Sequence, residues 1–512
     1  MTQVAVATTS QVAADAAAQI VAEGGNAVDA ALCASLLTMN TEPGVCALAG
    51  GAFVTIWPVD AAPVTFDGYV AVPGLASDGR VANAGIDVSM QYGGGITTTI
   101  GAASVAVPGS LAAVSDAAAA FGNLPLAVLM QPSIDIARSG FPLSSACHHY
   151  LEYSGKPIFG RDPVSRRALH PNNDTLLDAG ELVHLPGLAD TLQAIADEGP
   201  ALFYKGELGA RISRHILDAG GVLTREDLAS YQALRRDCLQ ISVGDWEVAL
   251  NPPPAIGGTM LGALLLGMTA DESLLPAMRA SLQYRRRQLD FSTDLSRDCQ
   301  LLLDSARTDG ALLGNHVSGA TVHTSAVDSD GMACAITASA GYGSGEMPAG
   351  TGLWLNNCLG ELELNRRGLS AAPAGLRLPS NMAPTTARSR DQVLAIGSPG
   401  ADRITSAMAQ TLQQLLLRAE PLDAAISAPR LHVEVALEAD EASGHYAEIL
   451  CTEPGALVED NPGIKVRAFD TPSMYFGGVG AALALTCPDA APVLSAAADP
   501  RRTGGVCVVG TP

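Results

Sequence analysis

The run Thr321-Val322-His323-Thr324-Ser325-Ala326-Val327-Asp328 leads into Ser329-Asp330-Gly331 and then into Met332-Ala333-Cys334-Ala335-Ile336-Thr337. Two stretches rich in β-branched and small apolar residues, joined by a turn signal, predict a β-hairpin. A tight turn sets Thr337 or Ala338 across from Thr321. Gly319-Ala320 precede the first strand. A cut between Ala320 and Thr321 would leave one residue carrying both a hydroxyl nucleophile and a free α-amine. Such an amine titrates at about 7.7–8.0, so it can serve as the base for its own hydroxyl near cellular pH. Taken alone, these residues fit a Thr-rich buried hairpin just as simply, because Thr is favoured in strands.

Further segments give the hairpin a context. Glu23-Gly24-Gly25-Asn26-Ala27-Val28-Asp29-Ala30-Ala31, Val107-Pro108-Gly109-Ser110, Phe203-Tyr204-Lys205-Gly206 and Pro252-Pro253-Pro254 come before it. Gly343-Ser344-Gly345, Leu355-Asn356-Asn357, Met382-Ala383-Pro384-Thr385, Gly397-Ser398-Pro399-Gly400 and Asp499-Pro500-Arg501-Arg502 follow. In this order they resemble the γ-glutamyltranspeptidase family of N-terminal-nucleophile hydrolases, whose precursors cut themselves before a Thr in Thr-Thr-His-x-Ser-Val-Val-Asp. Val322 stands for the second Thr of that motif.

The resemblance implies an α+β fold, a four-layer αββα sandwich formed jointly by both processed chains. Residues 1–320 would be the large subunit and 321–512 the small one, interlaced in a single unit. It also implies roles. Thr321 would be nucleophile and, through its amine, general base. Thr337 matches the threonine that hydrogen-bonds the nucleophile, and the N–H groups of Gly400 and Ala401 match the oxyanion hole. A Gly-Ser-Pro-Gly turn can aim adjacent N–H groups at one point, where each donor stabilises an oxyanion by about 3 kcal/mol. Ala401 replaces a family glycine, which narrows the allowed dihedrals but keeps the donor.

The substrate pocket departs from the family pattern. In Asp67-Gly68-Tyr69-Val70-Ala71-Val72-Pro73, Tyr69 stands where γ-glutamyl-specific members have a carboxylate-binding arginine. The family's paired serines correspond to Ser380 and Asn381, and its Asn, Gln and Asp on the α-amino side to Ser339, Cys358 and Glu361. A hydrogen bond to a charged group is worth about 1.5–3 kcal/mol net, so loss of the arginine costs a γ-glutamyl substrate at least about tenfold. Tyrosine cannot supply the bidentate fork either. The pocket is expected to favour a neutral or cationic acyl group, or an anion held elsewhere. Arg80 is the nearest candidate for that rescue, against a plain reading as a solvated loop residue.

Several functions remain open at this stage. The first is a self-processing Thr hydrolase or acyltransferase that cuts an amide or other activated acyl bond in a small, non-glutathione substrate. An ordinary γ-glutamyl hydrolase or transpeptidase is the alternative. Some relatives cut cephalosporin-type amides or activated C–C bonds in alkylproline biosynthesis, and an unprocessed binding protein is a further possibility. No cofactor and no metal is expected. Adjacent His148 and His149 point different ways on any regular element, and no carboxylate sits at ligand spacing.

Composition narrows the partners. The 512 residues are 48% hydrophobic and 16% charged, enough for a sizeable core. A net charge of −22 argues against nucleic acid, and Arg285-Arg286-Arg287 and Arg501-Arg502 are too brief to reverse this. The apolar stretch from Met260 to Met268 is too short for a membrane span. The start lacks a basic n-region and an apolar h-region, which predicts a cytoplasmic protein. Ten cysteines without paired spacing read as small buried residues. The expected partners are therefore a small-molecule acyl substrate and the two subunits of one precursor, with a dimer of such units left open. Tyr342 and Trp354 flank the candidate site, and core packing is the simpler role for each.

Overall fold

The structure is a computed structural model that describes residues 2–91, 95–309, 321–370, 372–439, 446–457, 464–487 and 490–510. Two antiparallel sheets dominate it. The first has seven strands in the order Gly505–Val509, Val4–Thr8, Val322–Asp328, Ala333–Ser339, Gly51–Trp57, Val64–Gly68 and Leu234–Asp237. The second has six, in the order Ala490–Ala498, Gly480–Cys487, Gln392–Gly397, Thr385–Arg388, Trp246–Leu250 and Leu239–Val243. Each sheet draws strands from both sides of Thr321, so the two halves of the chain cannot bury their cores apart.

Alternation along the strands explains the layering. Val4 and Val6 face one apolar cluster while Ala5 faces another, as period-2 geometry requires. The layer between the sheets is built mainly of alanine, including Ala5, Ala249, Ala333, Ala335, Ala395 and Ala482. The larger apolar side chains point outward under helices. Gln11–Ala22, Ala27–Thr41 and Ser110–Phe121 cover the first sheet, with Leu126–Ser139 packed on Ala27–Thr41. Ile256–Leu265, Leu275–Tyr284, Leu295–Asp309 and Arg403–Leu412 belong to the cluster over the second. The result is the αββα sandwich expected from the sequence.

One helix positions the hairpin. Every residue of Ala27–Thr41 is buried, so it runs through the interior rather than along the surface. Its start is set by a capping box: Asn26 Oδ1 accepts from the Val28 and Asp29 amides, and Asp29 Oδ2 accepts from the Asn26 amide. The helix Gln11–Ala22 before it ends ahead of Gly24, whose φ of +99° suits glycine. Asp328, the last residue of the Thr321 motif, ties hairpin to helix. Its Oδ2 accepts from the Ala27 amide at 3.1 Å and its Oδ1 from the Met332 amide at 2.9 Å.

The turn is wider than a two-residue hairpin. Asp328 pairs with Met332 across the loop Ser329–Gly331, with Gly331 at φ +93°. The register therefore places Thr337 opposite His323 and Ala338 opposite Val322, not opposite Thr321. The expectation of Thr337 or Ala338 facing Thr321 is corrected by this longer loop, and continuing the register sets Ser339 across from Thr321.

Among the described residues no helix is long and apolar enough to cross a membrane, and no group of three or more His, Cys, Asp or Glu side chains could hold a metal ion.

Candidate active site

Thr321 is buried at the mouth of its strand and lines a cavity with His323, Pro399, Gly478, Gly480 and Arg502. Ala320, on the other side of the candidate scissile bond, lies outside the described residues. Two residues along, His323 shares a sheet face with Thr337 and makes a chain of hydrogen bonds. Ser325 Oγ donates to the Gly480 carbonyl at 3.1 Å. Its oxygen is then the acceptor for His323 Nε2, 2.7 Å away. A neutral imidazole with its proton on Nε2 has a bare Nδ1, and Thr337 Oγ1 donates to it at 2.8 Å. Burial pushes the His323 pKa from 6.5 down to about 3, which keeps the ring neutral. Thr337 consequently keeps its oxygen lone pairs for a further donor.

The Gly397–Ala401 turn is held against this chain. A Cβ at Gly397 would collide with the His323 ring, so only glycine fits there. Ser398 Oγ accepts from the Gly478 amide at 3.1 Å, and a Cβ on Gly400 would meet Gly477 Cα at 2.9 Å. Ala401 adopts φ +60°, a left-handed conformation that costs a non-glycine residue about 1–2 kcal/mol. Among the described residues, the amides of Gly400 and Ala401 donate no hydrogen bond. Two adjacent buried N–H groups without an acceptor give the donor pair that an oxyanion hole uses.

The residues matched to the substrate pocket gather on the far side of Thr337. Phe53 pairs with Thr337 across neighbouring strands and stacks on Tyr69 with ring centroids 5.6 Å apart. Tyr69 is buried and hydrogen-bonds Ser380, and Cys358 lies against both Tyr69 and Glu361. Ser339 Oγ accepts from the Gly341 amide at 3.1 Å, and Gly341 sits against the Glu361 carboxyl. Tyr69, Ser339, Cys358, Glu361 and Ser380 thus form one site. Around them Val70, Val72, Leu359, Leu378 and Met382 make an apolar cluster.

Glu361 is the polar feature of this pocket. Burial first, and the neighbouring Glu363 second, hold its carboxyl well above the usual carboxylate range, against a lowering hydrogen bond from Cys358. Its Oε1 has no partner among the described residues. Burial thus favours its uncharged form, and the unused oxygen can accept from an incoming N–H.

Asn381 does not join the pocket through its carbonyl, because Oδ1 accepts from the buried Arg285 Nη1 at 2.7 Å. Arg80 follows its plain reading as a solvated loop residue: it is exposed and donates to the Leu217 carbonyl at 3.1 Å. Tyr342 and Trp354 are core residues, with Tyr342 Oη donating to Glu363 and Trp354 Nε1 to Ser165. Sequence reasoning gave no role to His323, Ser325 or Phe53. The strand period placed His323, Ser325 and Thr337 on inward faces, but the Gly480 carbonyl that fixes the chain's polarity is 155 residues away from Ser325.

A family model described as Gamma-glutamyltranspeptidase matches residues 13–292 and 279–509. The Acylase ACY 1 proenzyme of Pseudomonas sp. (strain V22) is 29% identical over 470 residues, covering 85% of this chain and 84% of that protein. The Glutathione hydrolase proenzyme of Pseudomonas aeruginosa is 28% identical over 480 residues, covering 84% and 82%. The cephalosporin acylase from Bacillus halodurans shares the fold, with a TM-score of 0.75 at 22% identity over 99% of this chain and 96% of that one. With its sandwich, its hairpin and its glycine turn in the same order, the chain belongs to the gamma-glutamyltranspeptidase family of N-terminal-nucleophile hydrolases.

Proposed function

We propose that the protein cuts itself between Ala320 and Thr321 and then uses Thr321 to hydrolyse or transfer an acyl group from a small, non-glutathione substrate. Residues 1–320 and 321–512 are then the two subunits. The Thr321 α-amine takes the hydroxyl proton as Oγ1 attacks the acyl carbon. The Gly400 and Ala401 amides receive the negative charge that develops on the carbonyl oxygen. Collapse breaks the bond to the leaving group, which takes the proton from the amine, and an ester remains on Thr321. Water or an amine then repeats the steps to release the acyl group. Thr337, its own proton engaged by His323, accepts from the Thr321 hydroxyl before attack and orients it until that proton turns to the amine.

The observation that carries the choice of substrate is Tyr69 stacked on Phe53 where a γ-glutamyl site needs a guanidinium. Beside it, Glu361 offers an unused carboxyl oxygen to an amide N–H or an amine. The acylase name of one relative is in keeping with an amide-cutting reaction, and the proenzyme names of both with self-cleavage. Retention of an acid at Glu361 and the glutathione hydrolase relative favour γ-glutamyl compounds as the second reading.

A denaturing gel with intact mass and N-terminal analysis tests the first step. Two fragments with a new terminus at Thr321 are expected, and Thr321→Ala should remain a single chain without turnover. An uncut wild-type chain that still turns over acyl substrates would eliminate the Thr321 mechanism.

A further inference from the structure

Self-cleavage faces a difficulty that turnover does not. In the uncut chain the Thr321 nitrogen is part of an amide, so the amine that later serves as base does not yet exist. Thr337 accepts from the hydroxyl but, as a hydroxyl itself, cannot keep the proton. His323 behind it is held neutral by burial, with a pKa of about 3. The first cut therefore needs another base within reach of Thr321.

The cavity beside Thr321 supplies one. Besides His323, the titratable side chains among its described lining residues are Glu42, Asp499 and Arg502. Both oxygens of Asp499 are occupied, Oδ1 by the Arg501 amide and Nη1 and Oδ2 by the Val479 amide and Arg430. Glu42 is different. Ser144 Oγ donates to its Oε2 at 2.6 Å and Cys147 Sγ to the same oxygen at 2.7 Å, while Oε1 accepts no hydrogen bond from a described residue. Glu42 directly follows Ala27–Thr41, so the helix that holds Asp328 at one end of the strand carries this carboxyl at its other end. The cavity encloses about 30 Å³, room for one or two waters. Arg502, whose side chain makes no hydrogen bond or ion pair with a described residue, gives such a water a further partner.

We propose that Glu42 is the base of self-cleavage and takes the Thr321 hydroxyl proton through one water in this cavity. The inference rests on the reading that the chain cuts itself before Thr321. As Oγ1 bonds to the Ala320 carbonyl carbon, its proton passes to the water and one of the water's protons to Glu42. The C–N bond then breaks, the Thr321 nitrogen receives the proton back along the same path, and an ester joins Ala320 to Oγ1. Another water hydrolyses this ester, leaving the Ala320 carboxyl group and a Thr321 with free amine and hydroxyl. One intervening water is an effective route for such a transfer. Burial raises the Glu42 carboxyl above the ordinary 4.5, against lowering by Cys147, Ser144 and Arg502, which brings its basicity closer to working pH. The thiols of Cys46 and Cys147, the other titratable groups facing it, are pushed well above 9 by burial and stay neutral.

Timed self-cleavage of the full chain tests it. Precursor is made in a brief cell-free pulse, translation is stopped, and the uncut band is followed in buffers of different pH. The wild-type rate should rise with pH and level off above the ordinary carboxylate range. Glu42→Gln keeps an oxygen for Ser144 and Cys147 but has no basic site, and should cut about a hundredfold more slowly or worse, without that rising limb. Glu42→Asp retains a carboxylate and should cut faster than Glu42→Gln. A Glu42→Gln precursor that cuts at the wild-type rate would overturn the assignment. So would one slowed by the same factor at every pH, or one no slower than Glu42→Asp, since either marks a structural role. These outcomes leave the cut itself standing. A wild type never cut before Thr321 would end the reading and the inference together.

Discussion

His323 Nδ1 lies 2.8 Å from Thr337 Oγ1, and because Ser325 already donates to the Gly480 carbonyl, the proton between them belongs to the threonine. Thr337 is left as an acceptor with one fixed orientation. Replacing His323 with Ala removes the acceptor and strands a buried hydroxyl, a loss of about 1–3 kcal/mol. His323→Ala should therefore slow acylation of Thr321 by about ten- to a hundredfold in single-turnover measurements. An unchanged acylation rate would remove the His323–Thr337 pair from the mechanism.

The same histidine sets an acid limit on stability. Its folded pKa, about 3, lies below the ordinary 6.5. Above pH 6.5 neither the folded nor the unfolded chain protonates it, so the contribution there is nil. As pH falls from about 6.5 towards 3, the unfolded chain takes up a proton that the folded one refuses, and stability declines across that window. The unfolding free energy of the wild type relative to His323→Asn should fall steadily over this range. A constant difference would mean that the imidazole is not held neutral by burial.

What the sequence revealed and what it hid divide along physical lines. The hairpin at Thr321, the glycine turn and the αββα layering were legible because strand periodicity, turn chemistry and motif order are local or collinear signals. The register was missed by one or two residues, since a three-residue loop and a tighter one are both compatible with Ser329-Asp330-Gly331. Phe53 was invisible because its importance comes from pairing with Thr337 across two strands that lie far apart in the chain. Arg285 and Arg286 read only as part of a brief basic run, and both are buried against Asp290. Charge alone does not tell a solvated arginine from an enclosed one.

Tyr69 separates processing from substrate choice. Its ring fills the space beside Phe53 and Gly51, and its hydroxyl reaches Ser380. Tyr69→Arg places a guanidinium beside Ser380, where it can take the α-carboxylate of a γ-glutamyl compound while Glu361 faces the α-amine. Self-cleavage should be unaffected, and activity on γ-glutamyl anilides should rise by about tenfold or more. No gain on those anilides would show that the missing arginine is not what turned this site from γ-glutamyl compounds.

Asp499 anchors the site from beneath. Its Oδ2 accepts from the Val479 amide at 2.9 Å and pairs with Arg430 Nη1 at 2.7 Å, while its Oδ1 takes the Arg501 amide and Nη1. Val479 stands between Gly478 and Gly480, which line the Thr321 cavity, and the Gly480 carbonyl ends the His323 chain. Both arginines are enclosed, and Glu453, paired with Arg501, is the other carboxylate of this network. Asp499→Ala leaves two buried guanidiniums against one acid, a change that costs about 3–5 kcal/mol when a buried pair is broken. The urea midpoint should fall with an unchanged m-value. Because Val479 also loses its tether, both self-cleavage and turnover should slow in the folded variant. An unfolding free energy within about 1 kcal/mol of wild type would mean that the arginines find other partners, and that the strand carrying Gly480 is held by its sheet alone.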